Sequence, residues 1–143
     1  MESKLLKGLN EQYNFEIESG YIYISMGHYV KDKGMDGFAN FFYKQAYEEF
    51  GHAEKLRNFL FQIDEKPVLR ELPKPQEEFG NFTETFKFAL EHEKEVSKRI
   101  HNLVNLAVED DDQRATSLLQ WYVDEQVEEE DTFRNIIERL ERI

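Results

Sequence analysis

The sequence has no cysteine, three prolines and no long apolar run. Without cysteine it can form no disulfide, iron–sulfur cluster, thiolate zinc site or cysteine nucleophile. No stretch approaches the roughly 18 apolar residues of a membrane-spanning helix, and the N-terminal segment lacks an apolar signal core, so we expect a soluble cytoplasmic protein without membrane contacts. Basic residues are also scarce: 18 Lys and Arg face 30 Asp and Glu, for a net charge of −12. Phosphate backbones repel such a chain, which argues against nucleic-acid binding.

The apolar residues that are present follow a helical pattern. The length of 143 residues predicts one domain over 1–143. The prolines, Pro67, Pro73 and Pro75, separate two long proline-free blocks, and each block has a polar break near its middle, at 31–37 and at 109–112. No alternating strand pattern occurs. The spacing therefore predicts four helices in two antiparallel hairpins, with Asn81 or Thr83 capping the third helix.

Each predicted helix carries one seam in which residues recur at alternating steps of three and four, the spacing of a four-helix bundle. The seams are Leu6, Leu9, Tyr13, Glu16, Gly20, Tyr23, Gly27 and Val30; Phe38, Phe42, Gln45, Glu49, His52, Leu56, Phe59 and Ile63; Phe82, Phe86, Ala89, Glu93, Val96, Ile100, Leu103 and Ala107; and Ala115, Leu119, Tyr122, Gln126, Glu129, Phe133, Ile136 and Leu140. The connection over 64–81 could span the bundle if extended, which favours one long crossover between the hairpins. A disordered loop is the alternative, but its apolar residues Val68, Leu69, Leu72 and Phe79 favour packing.

The first helix has a second apolar stripe that one core does not need. It consists of Phe15, Ile22, Met26 and Tyr29. A second continuous apolar face predicts a partner surface, so we expect a homodimer interface on this helix. Scattered exposed aromatic residues are the alternative.

Six polar residues occupy seam positions where the pattern requires apolar ones: Glu16, Glu49, His52, Glu93, Gln126 and Glu129. Taken singly, each could be a core histidine with ordinary partners or a surface residue off register. Taken together they lie level in their hairpins. Two residues of an antiparallel hairpin are level when they are equally far from its turn. The positions halfway along the sequence between Glu16 and Glu49 or His52, and between Glu93 and Gln126 or Glu129, fall in the two predicted turns. Buried carboxylates repel one another unless a cation binds them, and no basic residue occupies the seams. Oxygen ligands with one imidazole favour a dinuclear iron or manganese site, and they suit zinc and calcium less well. Glu49 is expected to bridge the two ions, because it belongs to the helix that also carries the imidazole.

Several motifs in this sequence resemble those of the bacterial-type non-haem ferritins nearly from end to end. They are Leu9-Asn-Glu-Gln-x-Asn-x-Glu16 with Tyr23, Gln45-Ala-x-Glu-Glu-x-x-His52, Glu93, and Trp121-Tyr-Val-Asp-Glu-Gln-Val-Glu-Glu-Glu130. The resemblance implies an all-α, ferritin-like four-helix bundle that stores and detoxifies iron. It also implies ferroxidase activity, in which Fe(II) is oxidised by O₂ or peroxide and deposited as ferric mineral in a homo-oligomeric cage, for the family a 24-mer.

The resemblance also implies roles for individual residues. The first iron site would be Glu16, Glu49 and His52. The second would be Glu49, Glu93 and Glu129, with Gln126 alongside as a hydrogen-bonding or peroxide-orienting group. A third iron site would comprise Glu48, Glu125, Glu128 and Glu129, and Tyr23 would bond the Glu93 carboxylate beside the centre.

The sequence departs from related families in two respects. Haem is expected to be absent, because Phe50 and Gly51 stand where an axial methionine is needed and Met1, Met26 and Met35 lie elsewhere. The family's short fifth helix is also expected to be absent. Two alternative functions remain open at this point: a di-iron or di-manganese oxidase or peroxidase that stores nothing, and a non-enzymatic bundle that buffers metal.

Overall fold

The computed structural model describes residues 3–143, and that range contains four α-helices and no strand. The helices are α1 (Lys4–Asp32), α2 (Asp36–Gln62), α3 (Phe82–Glu109) and α4 (Gln113–Glu141). The predicted helices and both predicted turns are therefore confirmed. Within this range no helix is long and apolar enough to cross a membrane. The chain forms two compact units, the first ending at Phe79 and the second spanning Gly80–Ile143.

The first unit is an antiparallel hairpin of α1 and α2. Its turn depends on Gly34, whose φ of 80° is a left-handed conformation that favours glycine. The amides of Gly34 and Met35 donate to the carbonyls of Lys31 and Val30, which closes the end of α1 in a Schellman motif. The two helices pack closely, since a Cβ on Gly27 would lie 2.3 Å from the Tyr43 ring.

The crossover follows α1 rather than hanging free. Asn10 and Asn14 both donate to the Val68 carbonyl, at 3.0 and 2.8 Å, and Phe79 packs edge-on against Tyr29, with ring centroids 5.6 Å apart. The crossover therefore runs along most of α1, as predicted. The prediction that its apolar residues pack is only partly right. Phe79 is buried, but Val68 and Leu69 remain 56% and 70% exposed, because side-chain amides of α1 hold the backbone of this segment.

The second apolar stripe of α1 is already half covered inside the single chain. Phe15 and Met26 are buried, and Tyr29 is half-buried against Phe79. Two of the four residues therefore need no partner to leave water. The homodimer interface on α1 stays a prediction.

The second unit is the hairpin of α3 and α4. Asn81 caps α3, as one of the two predicted choices: its side chain accepts from the Glu84 amide while the Glu84 side chain accepts from the Asn81 amide. Asp112 caps α4 with one hydrogen bond, which its side chain accepts from the Ala115 amide. The predicted seam of α4 is wrong at one position near its end, where Ile137 is buried and Ile136 is only half-buried.

Candidate metal centre

In the first unit, three of the predicted ligands converge in the middle of the hairpin. Glu16 on α1 and Glu49 on α2 have no exposed surface, and His52, one turn beyond Glu49, is 5% exposed. The Nδ1 atom of His52 lies 3.3 Å from Oε2 of Glu49 and 3.9 Å from Oε2 of Glu16. Ligand atoms of all three residues lie within 4.8 Å of one another, a spacing that one metal ion can bridge.

The charges at this site are coupled. Burial works against a charged imidazole, but the contacts with Glu16 and Glu49 prevail and raise the pKa of His52 to about 11. Burial likewise raises the pKa of Glu16, yet the neighbouring His52 prevails and holds it below its usual value. The metal-free site therefore carries a protonated imidazole between two carboxylates. This proton must leave before Nδ1 can bind a metal.

Two glutamines fix the orientation of the two carboxylates. Gln12 donates from Nε2 to Oε1 of Glu16 at 3.1 Å, and Gln45 donates from Nε2 to Oε1 of Glu49 at 3.3 Å. Each glutamine precedes its glutamate by one helical turn. As a result, Oε2 of Glu16 is turned toward His52, where it is buried and has no hydrogen-bond partner. A buried carboxylate oxygen in that state favours a cation.

Gln12 is a residue that the sequence reasoning missed as part of the site. It lies outside the predicted seam of α1, although it is buried. The repeated spacing Gln-x-x-x-Glu, at 12–16 and again at 45–49, is the signal that could have found it.

In the second unit, the predicted residues Glu93, Gln126 and Glu129 are all buried. Gln126 donates from Nε2 to the Glu93 backbone carbonyl at 3.2 Å and to Oε1 of Glu93 at 3.4 Å. Glu129 follows Gln126 by three residues on α4, so both occupy the same side of the helix. This unit thus holds two more buried carboxylates and one amide.

The remaining predicted site residues fall into two groups. Tyr23 is fully buried and stacks on Phe42, with ring centroids 6.2 Å apart. Of the residues assigned to a third site, Glu48 and Glu128 are exposed and Glu125 is half-buried. These three residues therefore differ from the buried ligands in being open to water.

The donor set fits a cation that prefers oxygen and accepts one imidazole. Two carboxylates and a neutral imidazole from the first unit would bind a divalent or trivalent transition-metal ion, with iron and manganese favoured over calcium. The net charge of such a site supports the higher oxidation state, because the anionic carboxylates stabilise the more highly charged ion.

Comparison with known proteins gives consistent matches over the whole chain. The model of the ferritin-like domain family matches residues 6–143. The bacterial non-haem ferritin of Staphylococcus haemolyticus (strain JCSC1435) is 39% identical over 143 residues, which cover 100% of this chain and 86% of that protein. The bacterial non-haem ferritin of Staphylococcus epidermidis (strain ATCC 35984) is 41% identical with the same coverage.

Solved structures match equally well. An open pore ferritin from the hyperthermophilic archaeon Archaeoglobus fulgidus superposes with a TM-score of 0.97 at 38% identity, covering 100% of this chain and 88% of that one. A humanized archaeal ferritin gives the same TM-score at 39% identity, covering 100% and 87%. The predicted fold class, an all-α ferritin-like four-helix bundle, is confirmed. The absence of a fifth helix stays a prediction.

Proposed function

The chain belongs to the ferritin family, and from this premise we propose that it stores and detoxifies iron as a ferroxidase. It oxidises Fe(II) with O₂ or peroxide and deposits the ferric product as a mineral. One observation carries this proposal. Among residues 3–143 four glutamates are buried, whereas no lysine or arginine is, so the imidazolium of His52 balances only one of these four charges and the rest of the positive charge is missing. Iron, as the substrate, supplies it.

We assign the first iron ion to Glu16, Glu49 and His52. Their ligand atoms are already gathered in the first unit, with the carboxylates oriented by Gln12 and Gln45. Binding displaces the imidazole proton of His52, since a protonated nitrogen has no lone pair to offer.

We assign the second iron ion to Glu49, Glu93 and Glu129, with Gln126 beside it. Glu49 bridges the two ions because it has two carboxylate oxygens and belongs to the helix that also supplies the imidazole. The burial of Glu93 and Glu129 supports this assignment, because two carboxylates buried in one hairpin are stabilised by a bound cation. The hydrogen bond from Gln126 to Glu93 supports a joint role for these two residues.

The pair of Fe(II) ions supplies two electrons. With two protons, these electrons convert O₂ to H₂O₂, or H₂O₂ to two molecules of water. The carboxylates favour the Fe(III) product, which then hydrolyses to mineral and releases protons. Tyr23, fully buried, is assigned to bond the Glu93 carboxylate. A third iron ion is assigned to Glu48, Glu125, Glu128 and Glu129, whose partly exposed members make that position accessible from water.

The chain functions as a homo-oligomer. We propose a 24-subunit cage with a twofold contact on α1, where Ile22 and Tyr29 are not fully buried in the single chain. A cytoplasmic location also stays a prediction.

The proposed site is tested by substituting its bridging residue. Stopped-flow absorbance should show rapid Fe(III) formation in the native protein with two Fe(II) ions added per chain. The Glu49→Ala variant should lose the rapid phase, because both ions lose a ligand. Glu54→Ala is the matched control, since Glu54 is an exposed glutamate on the same helix, and it should keep the native rate. Rapid oxidation by the Glu49→Ala variant would contradict the bridging assignment.

A further inference from the structure

We infer that Ser97 and Glu130 form a positioning relay for Gln126, so that its carbonyl oxygen, and not its amino group, is presented to iron. This inference rests on the proposed function, which it deepens. The resemblance implied that Gln126 lies alongside the second iron as a hydrogen-bonding or peroxide-orienting group, without saying which edge of its amide faces the metal. The hydrogen bonds of the second unit favour the oxygen-donor role.

The contacts of Gln126 with α3 determine which edge of its amide faces that helix. Nε2 lies 3.2 Å from the Glu93 carbonyl oxygen, 3.4 Å from Oε1 of Glu93 and 3.2 Å from Oγ of Ser97. A backbone carbonyl and a carboxylate can only accept hydrogen bonds. The edge that faces α3 must therefore be the NH₂ group, and the carbonyl oxygen is directed away from α3.

Ser97 contributes to this arrangement because its hydroxyl proton is already used in a hydrogen bond to another residue. Its hydroxyl donates to Oε2 of Glu130 at 2.5 Å, so toward Gln126 it can only accept. Without that acceptor the hydroxyl could rotate and donate to a flipped Gln126 carbonyl. Glu130 thereby makes Ser97 a further acceptor for the amide orientation that Glu93 already favours.

Glu130 is in turn held from the surface. Arg134, one turn further along α4, donates from Nη2 to Oε1 of Glu130 at 2.7 Å. The side chain of Glu130 is 17% exposed and that of Arg134 is 48% exposed. A chain of hydrogen bonds therefore runs from an exposed arginine through Glu130 and Ser97 to the buried amide. Within this chain each group donates to or accepts from the next.

The first test is a double-mutant cycle on the initial rate of Fe(II) oxidation. Ser97→Ala should lower this rate about threefold to tenfold, because the amide then loses one of the three acceptors that hold its NH₂ group. Ser97→Thr keeps the hydroxyl and should restore the rate. In a Gln126→Leu background, which has no amide to orient, Ser97→Ala should change the rate by less than a factor of about 1.5. Equal losses in both backgrounds would show that Ser97 acts through general packing and would overturn the relay.

The second test replaces Glu130 by its isosteric amide. Glu130→Gln presents an NH₂ group to Ser97, which frees the serine proton so that Ser97 is no longer restricted to accepting from Gln126, and the rate should fall as it does in Ser97→Ala. Glu138→Gln, an exposed glutamate on the same helix, is the matched control and should leave the rate unchanged. A native rate in Glu130→Gln would overturn the relay. Melting temperatures of all variants show whether each one is folded.

Calorimetric titration with Zn²⁺ separates failure of the relay from failure of the proposed function. This measurement does not depend on iron oxidation. Glu130→Gln should lower the Zn²⁺ affinity of one class of sites about threefold to tenfold and leave that of the other class unchanged. If the native protein fails to oxidise Fe(II), the proposed function is wrong, and this titration still decides the relay. If the native protein oxidises Fe(II) and the Zn²⁺ affinities are unaltered in Glu130→Gln, the relay alone is wrong.

Discussion

Replacing His52 by leucine in the metal-free protein should cost a large part of its stability. The protonated imidazole lies 3.3 Å from one buried carboxylate oxygen and 3.9 Å from another. At an effective dielectric constant of about 20, these distances correspond to attractions of about 5 and 4 kcal/mol. The cost of burying the charges offsets part of this attraction. Removing the partner of a buried ion group nevertheless costs about 3–5 kcal/mol, because the carboxylates are left facing each other.

The pH dependence of stability gives this prediction a second, independent signature. The pKa of His52 is raised from 6.5 to about 11 on folding. Its contribution is therefore fully present below pH 6.5 and is lost as the pH rises toward 11. The gap between native and His52→Leu proteins should be largest near pH 6.5 and should shrink at alkaline pH.

The assay is thermal unfolding in a chelator from pH 6 to pH 10. A loss of 3–5 kcal/mol corresponds to a decrease of about 10 °C in Tm near pH 6.5 for a chain of this size. His101→Leu is the control, because His101 is an exposed histidine. Equal Tm values near pH 6.5, or a gap that widens as the pH rises, would refute the reasoning.

Three further predictions concern groups around the site and the hairpin. Gln12→Met removes the donor to Oε1 of Glu16 and should weaken Zn²⁺ binding at the first site at least about tenfold by calorimetry; native affinity would contradict the orienting role. Asn14→Ala removes the amide that holds the crossover at 2.8 and 3.0 Å, so proteolysis of residues 66–72 should accelerate, and an unchanged cleavage rate would exclude that role. Gly27→Ala should lower stability by about 1–3 kcal/mol, because the new Cβ meets the Tyr43 ring at 2.3 Å; adding Tyr43→Leu should recover part of the loss in a urea titration, and no recovery would point to another cause.

Periodicity in the sequence was sufficient to predict the helices and the buried polar residues within each hairpin. Glu16, Glu49 and Glu93 stand at seam positions, and each is fully buried. The prediction succeeded because both features are local in the sequence. A seam depends on the spacing of residues along one helix, and a helix cap such as Asn81 depends on a residue three positions away.

What periodicity could not predict is which groups partner one another over a long sequence separation. The crossover lies on α1 through Asn14 and the backbone near Val68, residues 54 positions apart, so the exposure of Val68 could not be read from its apolar side chain. Gln12 was missed for a different reason, since its role depends on the orientation of one carboxylate oxygen, which helical spacing does not specify.

The central claim is that this chain both oxidises and stores iron, and aerobic loading of the purified protein tests it most directly. Fe(II) is added in excess, the protein is separated by size exclusion, and iron per particle is measured. Storage predicts hundreds of Fe(III) ions retained in a large soluble particle. Retention of two or three iron ions per chain with no further uptake would contradict storage, and would leave only an oxidase or a metal-buffering protein.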